Sequence, residues 1–219
     1  LMAFAVRKLF HPIPVPPMAE TLTYTSICRD LRAGRPAPVY LLHGEEGYYI
    51  DALVDWFVKL VPESDRDFDL TVLYAPELSS PLEVVNAARR VPMFSQRQVV
   101  VVKEVQNGGA TFLNALASYV ASPNPASVLC LCFRGKKATG AEFFKALRAG
   151  GGVAFESVKL RESNVASVVS EFIREKGLSV DPKALTMLCD FVGSDLSRLY
   201  NEVDKLTVTL GEGAMVTPE

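Results

Sequence analysis

Short apolar runs alternate along the chain with segments in which apolar residues recur at helical spacing. Five of these runs indicate strands, because each has seven or eight residues and several are apolar at consecutive positions, as in strands covered on both faces. They are residues 38–44, 69–75, 98–105, 127–133 and 152–158. Strands that alternate with helical segments are typical of a parallel sheet flanked by helices. The pattern therefore predicts an α/β domain with a five-stranded parallel sheet.

Local signals mark two helix boundaries. A helix near residues 81–90 is indicated by Ser80, Pro81 and Glu83, which supply an N-cap, a first-turn proline and the glutamate of a capping box. A first helix over residues 23–33 is expected to end at Gly34.

The pattern changes after residue 158, where the strands stop and three helical segments follow. The last residues, GEGAMVTPE, are rich in glycine and indicate a linker. We predict an extension over residues 1–17, an α/β domain over 18–158, a three-helix lid over 159–210 and a linker over 211–219. An α/β core followed by a helical lid and a linker is the layout of an AAA+ module.

The extension contains several prolines and lacks the cleavage site of a signal peptide. Met18 begins a segment that resembles a natural start more than Leu1 does, which favours an extension over residues 1–17 that is not native.

The net charge of the chain and its cysteine content indicate which partners it can bind and in which cellular compartment it works. The formal net charge of −2 provides no large basic field for sequence-independent binding to phosphates, so DNA contacts are expected only within an assembly. No apolar stretch approaches the ~20 residues that span a bilayer, and no membrane partner is expected. The four cysteines lack zinc-ligand spacing and indicate buried thiols in a reducing cytoplasm. They are Cys28, Cys130, Cys132 and Cys189.

The loop after the first predicted strand is where α/β domains bind phosphate. We call this the glutamate loop, and it consists of Gly44, Glu45, Glu46 and Gly47. It lacks the Lys and Ser or Thr of a Walker A motif, and its carboxylates would repel phosphate. We expect a degenerate phosphate loop that binds no nucleotide, and no cofactor.

Candidate catalytic residues are few. The third strand ends in Glu104 alone, where an ATPase needs paired acids, and His43 ends a buried strand as a structural histidine would. We therefore expect neither catalysis nor a metal site.

Three segments together resemble the delta subunit of the bacterial DNA polymerase III clamp loader. They are PVYLLHGEEGYYIDALVDWF, VVNAARRVPMFSQRQVVVVKEV and LRESNVASVVSEFIREKGLSVDPKALTMLCDFVGSDLSRLYNEVDKL. The likeness runs from Leu22 to Glu219 and implies an AAA+-like fold without Walker A. Family members continue into a helical collar domain, to which residues 211–219 would be the linker.

The resemblance implies a protein that binds and opens the sliding clamp, the beta subunit, during DNA replication. The matching element is the apolar loop, residues 91–95, in which Met93 and Phe94 insert into the clamp and Pro92 sets the loop. Neighbouring residues are expected at the rim of this contact: Arg90, Ser95, Gln96 and Arg97. The other implied partners are the clamp-loader ATPase subunits and delta prime. The label DNA-directed DNA polymerase, a nucleotidyltransferase, would describe the holoenzyme and not this chain.

Several alternatives stay open at this stage. Phe94 could fold under the sheet, with Met93 filling a gap in the core. A basic turn after the fourth strand, with Arg134, Lys136 and Lys137, is either a solvated loop or a contact to DNA or a neighbouring subunit. The rival functions are a degenerate P-loop ATPase and a DNA-binding module of another replication or helicase protein.

Overall fold

A computed structural model describes residues 23–159, 162–193, 195–211 and 213–218 of the chain. The predicted extension over residues 1–17 lies outside the described residues. Within these ranges, no helix is long and apolar enough to cross a membrane.

The centre of the α/β unit is a parallel sheet of five strands. The strands are β1 (Val39–Gly44), β2 (Leu70–Tyr74), β3 (Gln98–Lys103), β4 (Ser127–Arg134) and β5 (Val153–Ser157). Their order is β2-β3-β4-β1-β5, and each neighbouring pair is parallel. The predicted fold class, a five-stranded parallel sheet flanked by helices, is confirmed.

Helices cover both faces of the sheet. They are α1 (Tyr24–Arg32), α2 (Gly47–Lys59), α3 (Arg66–Asp69), α4 (Leu82–Ala88), α5 (Gly109–Ala115), α6 (Ala117–Ala121) and α7 (Ala141–Ala149). Short 3₁₀ turns occupy Glu63–Asp65, Ala75–Glu77 and Val105–Asn107. Alternate residues of each strand enter opposite cores, so Leu41 packs with α4 to α7 while Leu42 packs with α1 and α2. This two-sided burial explains the continuous apolar runs in the sequence.

The hydrogen bonds predicted at the start of α4 are present, although the helix begins at Leu82 and its N-cap is Pro81, one residue later than predicted. The Ser80 hydroxyl accepts from the Leu82 amide at 3.2 Å, and the Glu83 carboxylate accepts from the Ser80 amide at 3.1 Å. These bonds satisfy backbone donors that the first turn of a helix leaves unpaired.

The C-terminal unit contains α8 (Glu162–Glu175), α9 (Pro182–Val192) and α10 (Leu196–Leu210), together with a small sheet of β6 (Ser179–Val180) and β7 (Met215–Val216). The three helices enclose a separate core that includes Val169, Ile173 and Leu199. Three helices were predicted here, whereas the small sheet was not.

Part of the predicted linker belongs to this unit. The Ser179 and Asp181 amides donate to the carbonyls of Ala214 and Val216, each at 3.0 Å, and the Val216 side chain is buried. Backbone pairing and burial of one apolar side chain therefore hold residues 214–216 against β6.

A substitution at Phe57 would test how much the core beneath α2 contributes to stability. Its side chain is fully buried and lies 4.7 Å from the Tyr40 ring, measured between ring centroids. We expect Phe57→Ala to lower the free energy of unfolding by about 3–5 kcal/mol, because it removes buried apolar surface and leaves a cavity. Urea denaturation followed by circular dichroism would measure this.

Phe94→Ala is the matched control for that experiment. The Phe94 side chain is 63% exposed, so we expect a loss below about 1 kcal/mol. A loss comparable to that of Phe57→Ala would contradict the fold, because it would place Phe94 in the core.

Candidate protein-interaction site

The apolar loop connects α4 to β3 and directs large apolar side chains into solvent. Val91, Met93 and Phe94 are 76%, 67% and 63% exposed, whereas Pro92 and Ser95 are half-buried. The alternative in which Phe94 folds under the sheet is therefore not the arrangement of this structure. Adjacent exposed apolar side chains of this size are typical of interaction sites.

The backbone of the loop is held by the carboxylate of Asp69, the last residue of α3. Its Oδ1 accepts from the Met93 amide at 2.6 Å, and its Oδ2 accepts from the Phe94 and Ser95 amides at 2.8 and 2.6 Å. Asp69 is fully buried, although it is charged. Burial alone would raise the pKa of this carboxyl, but the three amide donors outweigh burial and lower the pKa below its ordinary value. The carboxylate is thus charged at neutral pH.

Contacts on both sides of the loop restrict it further. The Asn124 side chain donates to the Arg90 carbonyl at 3.1 Å, and the Ser95 hydroxyl donates to Asp65 at 3.1 Å. The Arg97 guanidinium donates to the Pro125 carbonyl at 3.3 Å. The loop therefore has a defined conformation without burying its apolar side chains.

The predicted rim residues flank Met93 and Phe94 along the chain. Arg90 and Gln96 are exposed, whereas Ser95 and Arg97 are half-buried. Their role as the rim of a contact stays a prediction.

Sequence reasoning missed two residues of this site, Phe68 and Asp69. The Phe68 ring is 51% exposed and lies edge-on to Phe94, with 5.0 Å between ring centroids. Asp69 was assigned to the start of the second strand. The one signal that could have identified it is a carboxylate directly before an apolar strand, where burial requires hydrogen-bond donors.

The glutamate loop lies at the opposite edge of the sheet, between β1 and α2. Glu46 is buried, and its Oε1 accepts from the Tyr48 amide at 3.0 Å as the N-cap of α2. The positive end of a helix dipole and its free amides form the position where many α/β proteins bind phosphate. In this chain a carboxylate of its own occupies that position.

The backbone of the glutamate loop is fixed against the end of β5. The Glu46 amide donates to the Ser157 carbonyl at 3.2 Å, and the Ser157 hydroxyl donates to the Glu46 carbonyl at 2.7 Å. Gly44 has φ +133°, and a Cβ at this residue would overlap the Ser157 carbonyl. Only glycine fits this close approach of two backbones.

Aromatic side chains connect the start of α2 to the helical unit. Tyr48 stacks on Tyr200 of α10 with 3.8 Å between ring centroids, and Phe172 of α8 meets the Tyr200 ring at 3.9 Å. Burial raises the pKa of both tyrosines well above the ordinary value, so both are neutral.

The basic turn after β4 is largely neutralised within the chain. Arg134 forms a salt bridge with Asp51 of α2, and Lys137 forms one with Glu156 of β5 at 2.7 Å. Lys136 has no carboxylate partner within salt-bridge distance among the described residues. This arrangement leaves little free positive charge for DNA.

The other groups that could carry chemistry have structural contacts. The His43 Nδ1 accepts from the Ala138 amide at 3.4 Å, and burial lowers the pKa of this imidazole. Glu104 is exposed at the end of β3. Of the four cysteines, Cys28, Cys130 and Cys132 are buried and Cys189 is half-buried, all as free thiols. The part of the chain that the structure describes contains no cluster of His, Cys, Asp and Glu suited to a metal ion.

Sequence comparison identifies one family. The family described as "DNA polymerase III, delta subunit" matches residues 40–154, which is more than half of the 219-residue chain. The chain is also similar to DNA polymerase III subunit delta of Bacillus subtilis (strain 168), with 24% identity over 206 residues. That match covers 87% of this chain and 57% of the relative, so the chain spans less than two thirds of it.

One solved structure shows the same fold. The DNA clamp loader delta protein of Bacillus subtilis superimposes with a TM-score of 0.71 and 22% identity, covering 89% of this chain and 60% of that one. This similarity confirms the fold, a five-stranded parallel sheet flanked by helices and followed by a helical C-terminal part. A weaker likeness, with a TM-score of 0.48 and 12% identity, extends to the RuvB Holliday junction branch migration motor of Thermotoga maritima, over 89% of this chain and 63% of that one.

Two glycines of the glutamate loop provide a matched test of this geometry. We expect Gly44→Ala to lower the free energy of unfolding by more than about 2 kcal/mol, because it combines a strained φ with overlap on Ser157. Gly47→Ala meets no neighbour within 4 Å and should change stability by less than about 1 kcal/mol. Urea titrations of both variants would measure the difference, and equal effects would contradict the described contact.

Proposed function

The chain belongs to the DNA polymerase III delta-subunit family, and from this premise we propose that it binds the sliding clamp through the apolar loop and helps to open it. The observation that carries the proposal is the pairing of Met93 and Phe94, both about two thirds exposed, on a loop whose backbone is held from within the chain. The clamp is the partner that the family resemblance assigns to these two positions.

The chemistry of the two side chains suits an apolar pocket. An aromatic side chain that enters such a pocket often contributes ~2 kcal/mol or more to binding, which makes it a hot spot of the interface. Methionine has a flexible, polarisable side chain and adapts to irregular pockets. Together, Met93 and Phe94 form the apolar centre of the contact.

The rim supplies polar groups around that centre. Arg90 and Gln96, which flank the two apolar residues in the sequence, are exposed, and Arg97 is half-buried. Interfaces usually have this arrangement, in which a polar rim surrounds the desolvated residues and orients the partner. We expect the matching surface of the clamp to combine an apolar pocket with acidic or carbonyl groups.

We further propose that this chain acts as a binding subunit and not as a catalyst, working in the cytoplasm. The carboxylate of Glu46 accepts a hydrogen bond from the Tyr48 amide at the N-terminus of α2, where a nucleotide phosphate would have to bind. ATP is then handled by the ATPase subunits of the clamp loader, with delta prime as a further partner. The Tyr48–Tyr200 stack supports this interpretation, because two rings with 3.8 Å between centroids leave no room for a nucleotide base between them.

Contacts to DNA are proposed only within the assembled complex. Two of the three cations of the basic turn are paired with Asp51 and Glu156, which leaves Lys136 as the member of this turn that is available for a phosphate or a neighbouring subunit.

The test is binding of the chain to the sliding clamp of the same organism, measured by isothermal titration calorimetry. We expect the double substitution Met93→Ala with Phe94→Ala to cost at least ~2 kcal/mol of binding free energy, because it removes the apolar centre of the contact. The fold should be unaffected, since both side chains are exposed.

Helix α9 offers a matched control with the same two residue types. Met187 and Phe191 are 50% and 64% exposed in the helical unit, and Met187→Ala with Phe191→Ala should leave clamp binding unchanged. Equal losses in the two double variants would contradict a specific site. If the parent chain does not bind the clamp, the proposal fails, and titrations with magnesium-ATP and primed DNA would test the two rival functions.

A further inference from the structure

The short helix α3 forms a single turn directly before β2. Two consecutive residues of this turn contact the apolar loop, and one is apolar whereas the other is charged. Phe68 is half exposed and touches Phe94 edge-on, whereas Asp69 is fully buried and binds the loop backbone. The loop follows this turn by 24 to 26 residues, so the contact is a tertiary one.

We propose that Asp69 is a positioning residue for the apolar loop, and that it fixes the one backbone arrangement in which Met93 and Phe94 both face solvent. Phe68, from the same turn, supports Phe94 in this arrangement. The inference rests on the proposed function, because it treats the loop as the binding element.

Adjacent apolar side chains on an unrestrained loop would gain free energy by turning toward the protein and burying their surface. Three successive amides, those of Met93, Phe94 and Ser95, donate to the two oxygens of Asp69 over 2.6–2.8 Å. These bonds orient three successive peptide units, and bonds to a charged acceptor are stronger than neutral ones. They therefore oppose the collapse of the loop.

The same bonds define how a partner can recognise the loop. The amides of residues 93–95 are already used by Asp69, and the carboxylate itself is buried, so a partner meets the side chains of Met93 and Phe94 and not this backbone. A loop ordered before binding loses less conformational entropy on binding. Asp69 thus acts on affinity through the loop, without touching the partner.

Phe68 adds a side-chain contact to the backbone hydrogen bonds that Asp69 accepts. Its ring lies at 71° to the Phe94 ring, with 5.0 Å between centroids, which is a favourable edge-to-face geometry. This contact restricts the rotation of Phe94 while 63% of its surface stays exposed.

The test uses Asp69→Asn, which keeps the shape of the side chain but replaces one acceptor oxygen with a group that cannot accept a hydrogen bond. We expect amide hydrogen exchange at Met93, Phe94 and Ser95 to become at least about tenfold faster in the free chain. The dissociation constant for the sliding clamp should rise by about tenfold. Asp67→Asn, an exposed carboxylate of the same turn, should change neither quantity.

A double-mutant cycle separates positioning from general stability. In the background of Met93→Ala with Phe94→Ala, Asp69→Asn should have no further effect on clamp binding, because the side chains that it positions are gone. Additive losses in the cycle would overturn the proposal, as would unchanged exchange at the loop amides or faster exchange with unchanged affinity.

Phe68→Ala keeps the proposal testable if Asp69→Asn fails to fold. Its side chain is half exposed, and we expect a rise of about threefold or more in the dissociation constant that disappears in the same double-alanine background. A rise that persists there would overturn the role of Phe68 in supporting Phe94. If the unmodified chain does not bind the clamp, the proposed function fails, and the exchange data alone decide whether Asp69 orders the loop.

Discussion

Burial of the sheet on both faces is the constraint on which the rest of this structure depends. The central strands are apolar at successive positions, and their side chains enter two separate cores. Polar and exposed functional groups are therefore confined to the two edges where strands begin and end. The glutamate loop and the basic turn lie at the edge where strands end, whereas the apolar loop, Asp69 and Asn124 lie at the edge where strands begin.

The two edges differ in how they are covered. At the edge where strands end, which is the usual ligand edge of open α/β sheets, Glu46 fills the helix N-terminus and Tyr48 stacks on the helical unit. At the other edge, Met93 and Phe94 remain uncovered. The edge that binds ligands in related folds is thus closed by the chain's own residues, and the one with free apolar surface is available to a partner.

Much of the α/β unit could be predicted from the sequence, because strand length, apolar runs and capping residues are local signals. The same is true of the exposed loop, where Met93 and Phe94 follow a proline between a helix and a strand. Asp69 has only one local signal, its place directly before an apolar strand, and its partners could not be identified from the sequence because they lie more than 20 residues away. The strand β7 was missed for a similar reason, since two residues of a glycine-rich tail gain order only by pairing with β6.

The same interaction occurs at both edges of the sheet: a carboxylate accepts hydrogen bonds from backbone amides. Glu46 accepts one amide at the start of α2, and there the contact occupies a position that an anion could otherwise take. Asp69 accepts three amides of the apolar loop, and there the contact fixes a surface and leaves it open. The difference lies in what surrounds each carboxylate. Glu46 is enclosed by β5 and α2, whereas Asp69 lies beneath a loop whose large apolar side chains face solvent. A buried carboxylate can therefore have two different effects. Bound to the start of a helix, it occupies a position that an anion could take, and bound to a loop, it holds the apolar side chains of that loop exposed to a partner.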